Sequence, residues 1–561
     1  MKVKRKLFIG ITAVLTAAAV ISLSGCGVIG KLSEMVPGSG REGTKEENAP
    51  GGAENGNDGS GGNETGGVGP GDDGSDGNAP GGVGPGNDGS DGNAPGGVGP
   101  GNNGADGNAP GGVGPGSDGS DGNAPGGVGP GSDGLNGNAP EGSEPGDRPE
   151  PWEGKLPSSY DGRLTGRAPS IKNQGSLGTC WAFASLMALE ARLLPQERYD
   201  FSEDHISLNN GFCIPQEEGG EYTMSMAYLL SWRGPVLEEE DPYGDGESPD
   251  GLKAVKHVQG IEMVPAKDYE KIKRAILQYG GVQSSLYTSM TNEESRSVYY
   301  NEEKFAYCYL GSEPPNHDSV IIGWDDNFPK ENFNVEVNGD GAFICMNSWG
   351  DNFGDNGYFY VSYYDSNIGM NNLIYTVVEE PDNYSHNYQT DLRGWVGQLG
   401  YGKDTAWFAN VYEAEGAESL EAAGFYATDR HTSYEIYVVR RVGEESDIID
   451  GIGILPKDLT ARKRLAASGE VDYAGFYTIP LSGLPEKERR LEPGERFAVL
   501  VKLTTPGSVH PVAIEYDAGD GKTIVDISDG EGYISPDGEH FTRVETEQRC
   551  NICLKAYTKD R

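Results

Sequence analysis

The chain has 561 residues, of which 87 are glycine, and a formal net charge of −43 at pH 7. Such an acidic chain argues against a nucleic-acid partner, because phosphate binding requires patches of Lys and Arg. The charge favours solubility outside the cell instead. The 7 cysteines are too few for a chain of this length to be a disulfide scaffold.

The N-terminus has the pattern of a secretory signal peptide. Four basic residues among the first six precede an apolar run at about 7–23. The run is near the lower length limit for a membrane-spanning helix, so its length alone leaves that alternative open. The tetrapeptide Leu-Ser-Gly-Cys that ends at Cys26 resembles the lipobox of bacterial lipoproteins. The resemblance implies that residues 1–25 are removed and that a lipid on Cys26 anchors the chain on the extracellular face of a bacterial cell membrane.

Residues 26–150 are predicted to form a disordered Gly-rich linker. Positions 31–150 contain 41 glycines and no Phe, Trp or Tyr, which is too little apolar surface to offset the entropy of a folded chain. The tetrapeptide Gly-Asn-Ala-Pro recurs every 15 residues, starting at Gly77, Gly92, Gly107, Gly122 and Gly137. Irregular glycine spacing excludes collagen, and the repeat lacks the Asp and large apolar residue of calcium-binding β-helices.

Beyond residue 150 the composition becomes that of a globular protein. Turn residues dominate 173–179, and apolar side chains then recur at helical spacing, at Phe183, Leu186, Met187, Ala191 and Leu194. This pattern predicts a helix that begins at Cys180. A thiol at a helix N-terminus has a lowered pKa and reacts as the thiolate. A buried structural cysteine is the alternative.

Two later segments supply partners for such a thiol. His317 enters an apolar, strand-like run, and Asn347 stands before a Gly-rich turn. An amide can hold an imidazole in the tautomer and orientation that a nucleophilic thiol needs. Cys180, His317 and Asn347 are therefore candidates for a nucleophile, its base and an orienting group.

The surrounding motifs resemble the papain family of cysteine peptidases. They are Gln-Gly-x-x-Gly-x-Cys-Trp-Ala-Phe at 174–183, Asn-His at 316–317 and Asn-Ser-Trp-Gly at 347–350. A polar insert at about 327–341 accounts for the long spacing between the His and the Asn. The resemblance implies a two-lobed, α+β peptidase domain over 151–380 that hydrolyses peptide bonds through an acyl-enzyme.

The resemblance also implies a role for each matching residue. Cys180 is the nucleophilic thiolate, and His317, as imidazolium, stabilises it and donates a proton to the leaving amine. Asn347 orients His317, and Trp349 shields their hydrogen bond from water. The Gln174 side chain and the Cys180 backbone N–H form the oxyanion hole.

Substrate contacts are implied at three further positions. Gly219 and Gly220 fall where the family pairs with the substrate backbone in an extended groove. Asp318 falls beside the family's pocket for the substrate residue two before the cut. We hypothesise that Asp318 favours a basic side chain there by charge complementarity. The alternative is that Asp318 faces solvent or forms a local hydrogen bond.

Two features of the family pattern are missing. The positions of a common disulfide are occupied by Leu177 and Glu217, so we expect packing to replace the bridge. We also expect no helical inhibitory pro-segment before Leu156, which leaves the restraint of activity unassigned.

Residues 381–561 have the alternating pattern of an all-β sandwich. Segments at 427–437 and 551–558 resemble the lectin-like domain that follows papain-type peptidases in some anaerobic bacteria. A glycan partner is implied, but no sugar-binding residue can be nominated, and the aromatic side chains are expected to fill the core. Cys550 and Cys553 lack the further ligands of a zinc site and the βα junction of a redox motif. The pairing of Cys213, Cys308 and Cys345 is left open.

These observations predict a lipid-anchored, surface-displayed cysteine endopeptidase that acts on proteins or peptides and uses no metal or cofactor. Two alternatives remain. One is an inactive protease fold that serves adhesion or carbohydrate binding. The other is a peptidase directed at cell-wall peptides.

Overall fold

The computed structural model describes residues 152–443 and 458–561, together with two short strands between them. The predicted signal peptide, Cys26 and the linker at 26–150 lie outside the described residues. Within the described part, none of the helices has the length and apolarity needed to cross a membrane.

The first domain, residues 152–380, mixes helices and strands. Its helices are α1 (Cys180–Leu193), α2 (Glu203–Asn209), α3 (Tyr222–Leu230) and α4 (Tyr269–Tyr279), with 3₁₀ turns at Gln216–Glu218 and Lys330–Asn332. Its strands are β1 (Ser159–Asp161), β2 (His257–Val264), β3 (Val282–Leu286), β4 (Tyr300–Asn301), β5 (Ala306–Tyr307), β6 (His317–Asp325), β7 (Ala342–Met346), β8 (Tyr358–Ser362) and β9 (Asn372–Glu379).

The helices of the first domain form for different physical reasons. Nearly every side chain of α1 is buried, so α1 is a core helix rather than an amphipathic surface one. Pro195 stops it, because proline lacks the N–H that another turn would need. In contrast, α4 buries one face and is capped by Asp268, whose carboxylate accepts a hydrogen bond from the Lys271 N–H at 3.0 Å.

The second domain, residues 381–561, consists mainly of strands. They are β10 (His386–Tyr388), β11 (Gly397–Leu399), β12 (Thr405–Glu413), β13 (Glu418–Ala427), β14 (Thr432–Arg440), β15 (Asp447–Ile448), β16 (Ile454–Leu455), β17 (Arg464–Val471), β18 (Gly475–Pro480), β19 (Arg490–Leu491), β20 (Arg496–Thr504), β21 (Val512–Tyr516), β22 (Gly532–Ser535), β23 (Thr542–Arg543), β24 (Cys550–Ile552) and β25 (Leu554–Asp560). Three single-turn helices accompany them: α5 (Asp458–Ala461), α6 (Glu486–Arg489) and α7 (Val544–Glu547).

The two domains share one β-sheet. Its strand order is β10-β25-β13-β18-β2-β9-β3-β6-β7-β8-β5-β4, and the junction is the antiparallel pair β18–β2. Gly475 lies opposite Glu262 there, and Phe476 lies opposite Ile261. Ladder hydrogen bonds therefore cross the domain boundary, and the sheet couples the domains more firmly than a linker alone.

The second domain is a sandwich. A second sheet, in the order β17-β14-β20-β12-β22-β23, packs on its part of the shared sheet. Phe408 and Val499 from the former meet Phe425 and Leu554 from the latter in one fully buried cluster. Tyr412 and Phe497 lie in the same cluster. Trp395, Tyr426 and Phe476 of this domain are buried instead in the core that surrounds α1.

The core of the first domain has two parts. One surrounds α1 and includes Phe183 and Tyr228; the other lies behind β6 and β7 and includes Trp324 and Phe343. Helix α1 packs against β6. This arrangement brings Cys180, the first residue of α1, toward His317, the first residue of β6.

The insert at about 327–341 is less polar in its packing than the sequence suggested. Phe328, Phe333 and Val337 are buried against Ala306 and Cys308. The insert is therefore a folded cover on the end of the shared sheet. Its apolar residues are too widely spaced for a strand or helix pattern, so the sequence shows only its polar character.

The six cysteines in the described part are all free: Cys180, Cys213, Cys308, Cys345, Cys550 and Cys553. Cys550 and Cys553 lie in the sandwich core, where the Cys553 thiol donates to the Gly394 carbonyl at 3.1 Å. At the place of the missing disulfide, the Gly178 N–H donates to the Gln216 carbonyl at 2.8 Å.

Candidate active site

Cys180 begins α1 on the floor of a cleft. Its side chain is partly exposed, whereas the next residues of α1 are buried. The backbone N–H groups of Cys180, Trp181 and Asp318 point at the sulfur and favour its ionised form. The Asp318 N–H belongs to β6, so the sulfur lies directly beside the residue that follows His317.

The loop before α1 is held rigidly. The Gln174 backbone N–H donates to the Ser348 carbonyl at 2.8 Å, and the Ser348 hydroxyl donates to Gln174 Oε1 at 2.6 Å. Gln174 Nε2 donates one hydrogen to the Leu177 carbonyl at 2.8 Å. A primary amide has two such hydrogens, so a second donor remains on this nitrogen.

His317 and Asn347 form a buried pair. His317 Nε2 donates to Asn347 Oδ1 at 2.7 Å, and the two residues are 7% and 1% exposed. The amide oxygen also accepts from the Ser348 N–H at 2.9 Å, which fixes the amide's orientation. Because Nε2 carries the proton in this bond, a neutral His317 has an unprotonated Nδ1.

The indole of Trp349 covers this pair. Its ring lies 4.8 Å from the His317 ring, centroid to centroid, and is itself packed edge-on against Phe353 at 4.9 Å. Trp349 is 3% exposed. The His317–Asn347 hydrogen bond is thus kept from water, which strengthens it.

The electrostatics of the thiol differ from the sequence-based expectation. Burial, and then the negative charge of Asp318, raise the pKa of the Cys180 thiol to about 12, although the three backbone N–H groups lower it. Burial also lowers the pKa of the His317 imidazole. The N-terminal position on α1 does not by itself produce a thiolate, because desolvation outweighs the helix field.

One edge of the cleft is formed by glycine backbone. Gly219 has a φ of 87°, in the left-handed region that favours glycine. A Cβ on Gly220 would lie only 2.4 Å from Trp181 Nε1, so a side chain cannot be accommodated there. Gly220 is exposed.

Two acidic residues lie near each other beside this glycine edge: Glu221, which directly follows Gly220, and Asp318. Asp318 is 7% exposed and accepts a hydrogen bond from Gln283 Nε2 at 3.0 Å. Glu221 is partly buried, and within the described residues its Oε2 atom has no hydrogen-bond partner. Burial raises the pKa of Glu221 to about 7; a hydrogen bond with Thr223 lowers it, and the charge of Asp318 raises it further.

Comparisons with known proteins agree with this geometry. The profile of papain family cysteine proteases matches residues 156–378, and that of the lectin like domain matches residues 387–558. Mouse (Mus musculus) cathepsin K is 30% identical over 216 residues, which are 37% of this chain and 60% of the cathepsin. The chain thus spans less than two thirds of that relative's length.

Two solved structures extend the likeness across both domains. The clostridial cysteine protease Cwp84 after propeptide cleavage is 27% identical, with a TM-score of 0.62 over 72% of this chain and 100% of that one. The cysteine protease and lectin-like domains of Cwp84, a surface layer associated protein of Clostridium difficile, are 27% identical, with a TM-score of 0.60 over 74% of this chain and 91% of that one.

The chain carries a papain-family cysteine peptidase domain followed by a lectin-like domain. The predicted α+β fold with a second, all-β domain is confirmed. In the peptidase domain, contacts join Gln174 to Ser348, His317 to Asn347, and the Trp349 ring to the His317 ring.

Asp318 and Glu221 show what sequence reasoning resolved and what it missed. Of the alternatives for Asp318, exposure to solvent is wrong, and a hydrogen bond to Gln283 is present. Glu221 was not nominated at all. The available signal was its position directly after the Gly219-Gly220 pair, which places it on the wall of the cleft.

Proposed function

We propose that the peptidase domain hydrolyses peptide bonds with Cys180 as nucleophile. The observation that carries the proposal is the 2.7 Å bond from His317 Nε2 to Asn347 Oδ1, because it leaves Nδ1 to take a proton from the thiol. An inactive fold would have no need for a buried imidazole held in this one tautomer.

The reaction begins with proton transfer from the Cys180 thiol to His317 Nδ1. The sulfur then attacks the substrate carbonyl carbon, a C–S bond forms, and the carbonyl electrons move to oxygen. The Cys180 backbone N–H and the second Nε2 hydrogen of Gln174 donate to that oxyanion. When the tetrahedral intermediate collapses, the C–N bond breaks and Nδ1 returns its proton to the leaving amine.

Water completes the cycle. It loses a proton to Nδ1 as it attacks the acyl-enzyme, and the C–S bond breaks to release the acid and the thiol. Since burial disfavours each charge alone, the thiolate and imidazolium form together, and each offsets the desolvation of the other. Trp349 maintains the dry surroundings in which this pair is stable.

Labelling with a thiol-directed peptidyl epoxide tests the proposal. We expect the epoxide to form one covalent adduct with wild type and no adduct with Cys180→Ala. Cys213→Ala is the matched control, because Cys213 is another partly exposed thiol of the same domain. If wild type is not labelled and does not cleave casein, the proposal is contradicted. The result would favour an inactive protease fold that serves adhesion or carbohydrate binding. Parallel digestion of purified cell wall identifies a cell-wall peptidase.

We further propose that the acidic pair of Glu221 and Asp318 selects a basic side chain two residues before the cut. The support is that Asp318 lies near both the Cys180 thiol and Glu221, whose Oε2 atom lacks a partner among the described residues. A guanidinium has donors for both carboxylates. The charge complementarity of such a pocket favours Arg over a neutral side chain of equal size.

The proposed location is the extracellular face of a bacterial membrane, through a lipid on Cys26. Its support is the Leu-Ser-Gly-Cys motif after the apolar run, together with the likeness to a surface layer associated protein. Metabolic labelling with an alkyne fatty acid tests it: wild type should carry the label, and Cys26→Ser should not. A glycan ligand for the lectin-like domain is proposed from the domain alone.

A further inference from the structure

A loop of the lectin-like domain contacts the peptidase domain next to the cleft. We call residues 517–529, between β21 and β22, the brace loop, and residues 213–220 the strap. The Cys213 N–H in the strap donates to the Lys522 carbonyl in the brace loop at 2.8 Å. The Lys522 ammonium forms an ion pair with Glu218 at 3.2 Å.

The brace loop is folded onto its own domain. Asp520 Oδ1 accepts hydrogen bonds from the backbone N–H groups of Lys522 at 2.8 Å and Thr523 at 2.9 Å. Asn551 of β24 donates to the Asp526 carbonyl at 2.8 Å. Thr523 is 7% exposed. Lys522 is therefore presented to the strap by an ordered turn anchored at both ends.

The other side of the strap contacts the loop that precedes Cys180. The Gly178 N–H donates to the Gln216 carbonyl at 2.8 Å, and the Gln216 side chain donates to Asp204 at 2.7 Å. A Cβ on Gly178 would lie 2.6 Å from the Gly219 nitrogen, so the two backbones touch. We call residues 173–179, before Cys180, the oxyanion loop. A shift of the strap would displace both this loop and Gly220.

We propose that the brace loop is a positioning element of the peptidase, which holds the strap against the oxyanion loop and keeps the Gly219–Gly220 edge in place for substrate. Leu177 and Glu217 leave this region without a covalent tie, and the described cysteines are all free. The proposal goes beyond peptide hydrolysis, since it assigns the lectin-like domain a part in building the substrate cleft.

The two contacts of Lys522 contribute unequally. Lys522 and Glu218 are 46% and 54% exposed, and an ion pair this open to solvent adds little. The hydrogen bond from the Cys213 N–H to the Lys522 carbonyl depends on the backbone path of the brace loop and not on the Lys522 side chain. We therefore expect Lys522→Ala to have little effect on the position of the strap. Replacing residues 518–525 of the brace loop with a shorter glycine linker should have a large effect.

Hydrogen exchange of the full chain tests the brace independently of catalysis. With the shortened brace loop, amides of the strap should exchange about tenfold faster, while those of α4 on the far side keep their rates. Lys403→Ala, an exposed lysine elsewhere in the lectin-like domain, serves as control. Unchanged exchange at the strap would overturn the proposal, even if the protein had no peptidase activity.

Kinetics and rescue complete the test. The shortened loop should raise KM for extended peptides about fivefold, because the Gly219–Gly220 edge is displaced. It should change kcat less than about twofold, because Ser348 and the Leu177 carbonyl still hold Gln174. A disulfide introduced by Leu177→Cys with Glu217→Cys should restore KM, and its reduced form should not. If kcat falls by as large a factor as KM rises, and the disulfide restores neither, the shortened loop destabilises the protein in general. That result contradicts a positioning role.

Discussion

The peptidase domain buries charged side chains in two places that differ in how the charges are balanced. Around Lys172, one ammonium meets three carboxylates: Glu190 at 2.9 Å, Asp200 at 2.8 Å and Glu203 at 2.8 Å. These contacts raise the pKa of Lys172 even though burial lowers it. The cluster ties α1 and α2 to the loop before Gln174.

Beside Cys180, two acids lie together without a cation. Within the described residues, Glu221 and Asp318 form no ion pair; Asp318 has Gln283 as hydrogen-bond partner, and Glu221 Oε2 has none. An unpaired buried acid costs stability, so a fold retains it where something else uses it. We infer that the acids paired with Lys172 hold this domain together, whereas Glu221 and Asp318, which we call the unbalanced pair, serve the proposed substrate pocket.

The largest expected effect is at the cluster around Lys172. Lys172→Met removes the cation that Glu190 and Glu203 share and leaves both acids buried. We expect the free energy of unfolding at pH 7 to fall by about 3–5 kcal/mol, measured by urea denaturation. Lys330→Met, at an exposed lysine, is the control. A loss under about 1 kcal/mol would make the cluster no different from a surface ion pair.

The unbalanced pair should change selectivity instead. With peptides that differ only in Arg or citrulline two residues before the cut, wild type should prefer Arg about thirtyfold in kcat/KM, or about 2 kcal/mol. Glu221→Gln combined with Asp318→Asn should reduce the preference to within about twofold, because only the charges are removed.

The measured quantity is the ratio of kcat/KM for the Arg peptide to that for the citrulline peptide. A general loss of activity in a variant lowers both values and leaves their ratio unchanged. Glu217→Gln, which removes an exposed acid from the rim, controls for general negative potential. A preference for Arg that survives in the double variant, or equal rates for both peptides in wild type, contradicts the proposed pocket.

Local patterns in the sequence were sufficient for the elements and the motif. Helical spacing predicted 180–194, and α1 is Cys180–Leu193, ended by Pro195. Alternation predicted an all-β domain, and the alternating runs at 420–426 and 497–503 lie within β13 and β20. These features depend on neighbouring residues, so a single sequence contains them.

Features that depend on distant contacts were not predictable. The β18–β2 pair joins residues more than two hundred positions apart, and nothing local marks an edge that will be shared. Glu221 has the sequence surroundings of a surface acid, but the fold buries it and brings it near Asp318, 97 residues later in the chain. The thiol pKa was expected to fall from the helix field, but desolvation depends on how the cleft packs.

The unbalanced pair should also cost stability. The pKa of Glu221 is raised from 4.5 to about 7, so between these values the folded state binds more protons than the unfolded state. Stability due to this group is then present below pH 4.5 and is lost as pH rises toward 7. Glu221→Gln should be more stable than wild type by about 1 kcal/mol at pH 8 and equal at pH 4.5. Urea denaturation at both pH values measures this, and a difference independent of pH would contradict it.

The smallest expected effect is on selectivity against pH. Glu221 faces Thr223, Tyr222 and Asp318, and its raised pKa makes it largely neutral below pH 6 and charged above pH 8. The Arg preference over citrulline should therefore rise about threefold across this range, because a guanidinium gains a second carboxylate. Glu221→Gln should keep a flat ratio, since Asp318 alone remains. If the wild-type ratio of kcat/KM for Arg over citrulline is also independent of pH, Glu221 does not contact the substrate. Glu221 would then have a structural role, like the charged residues around Lys172.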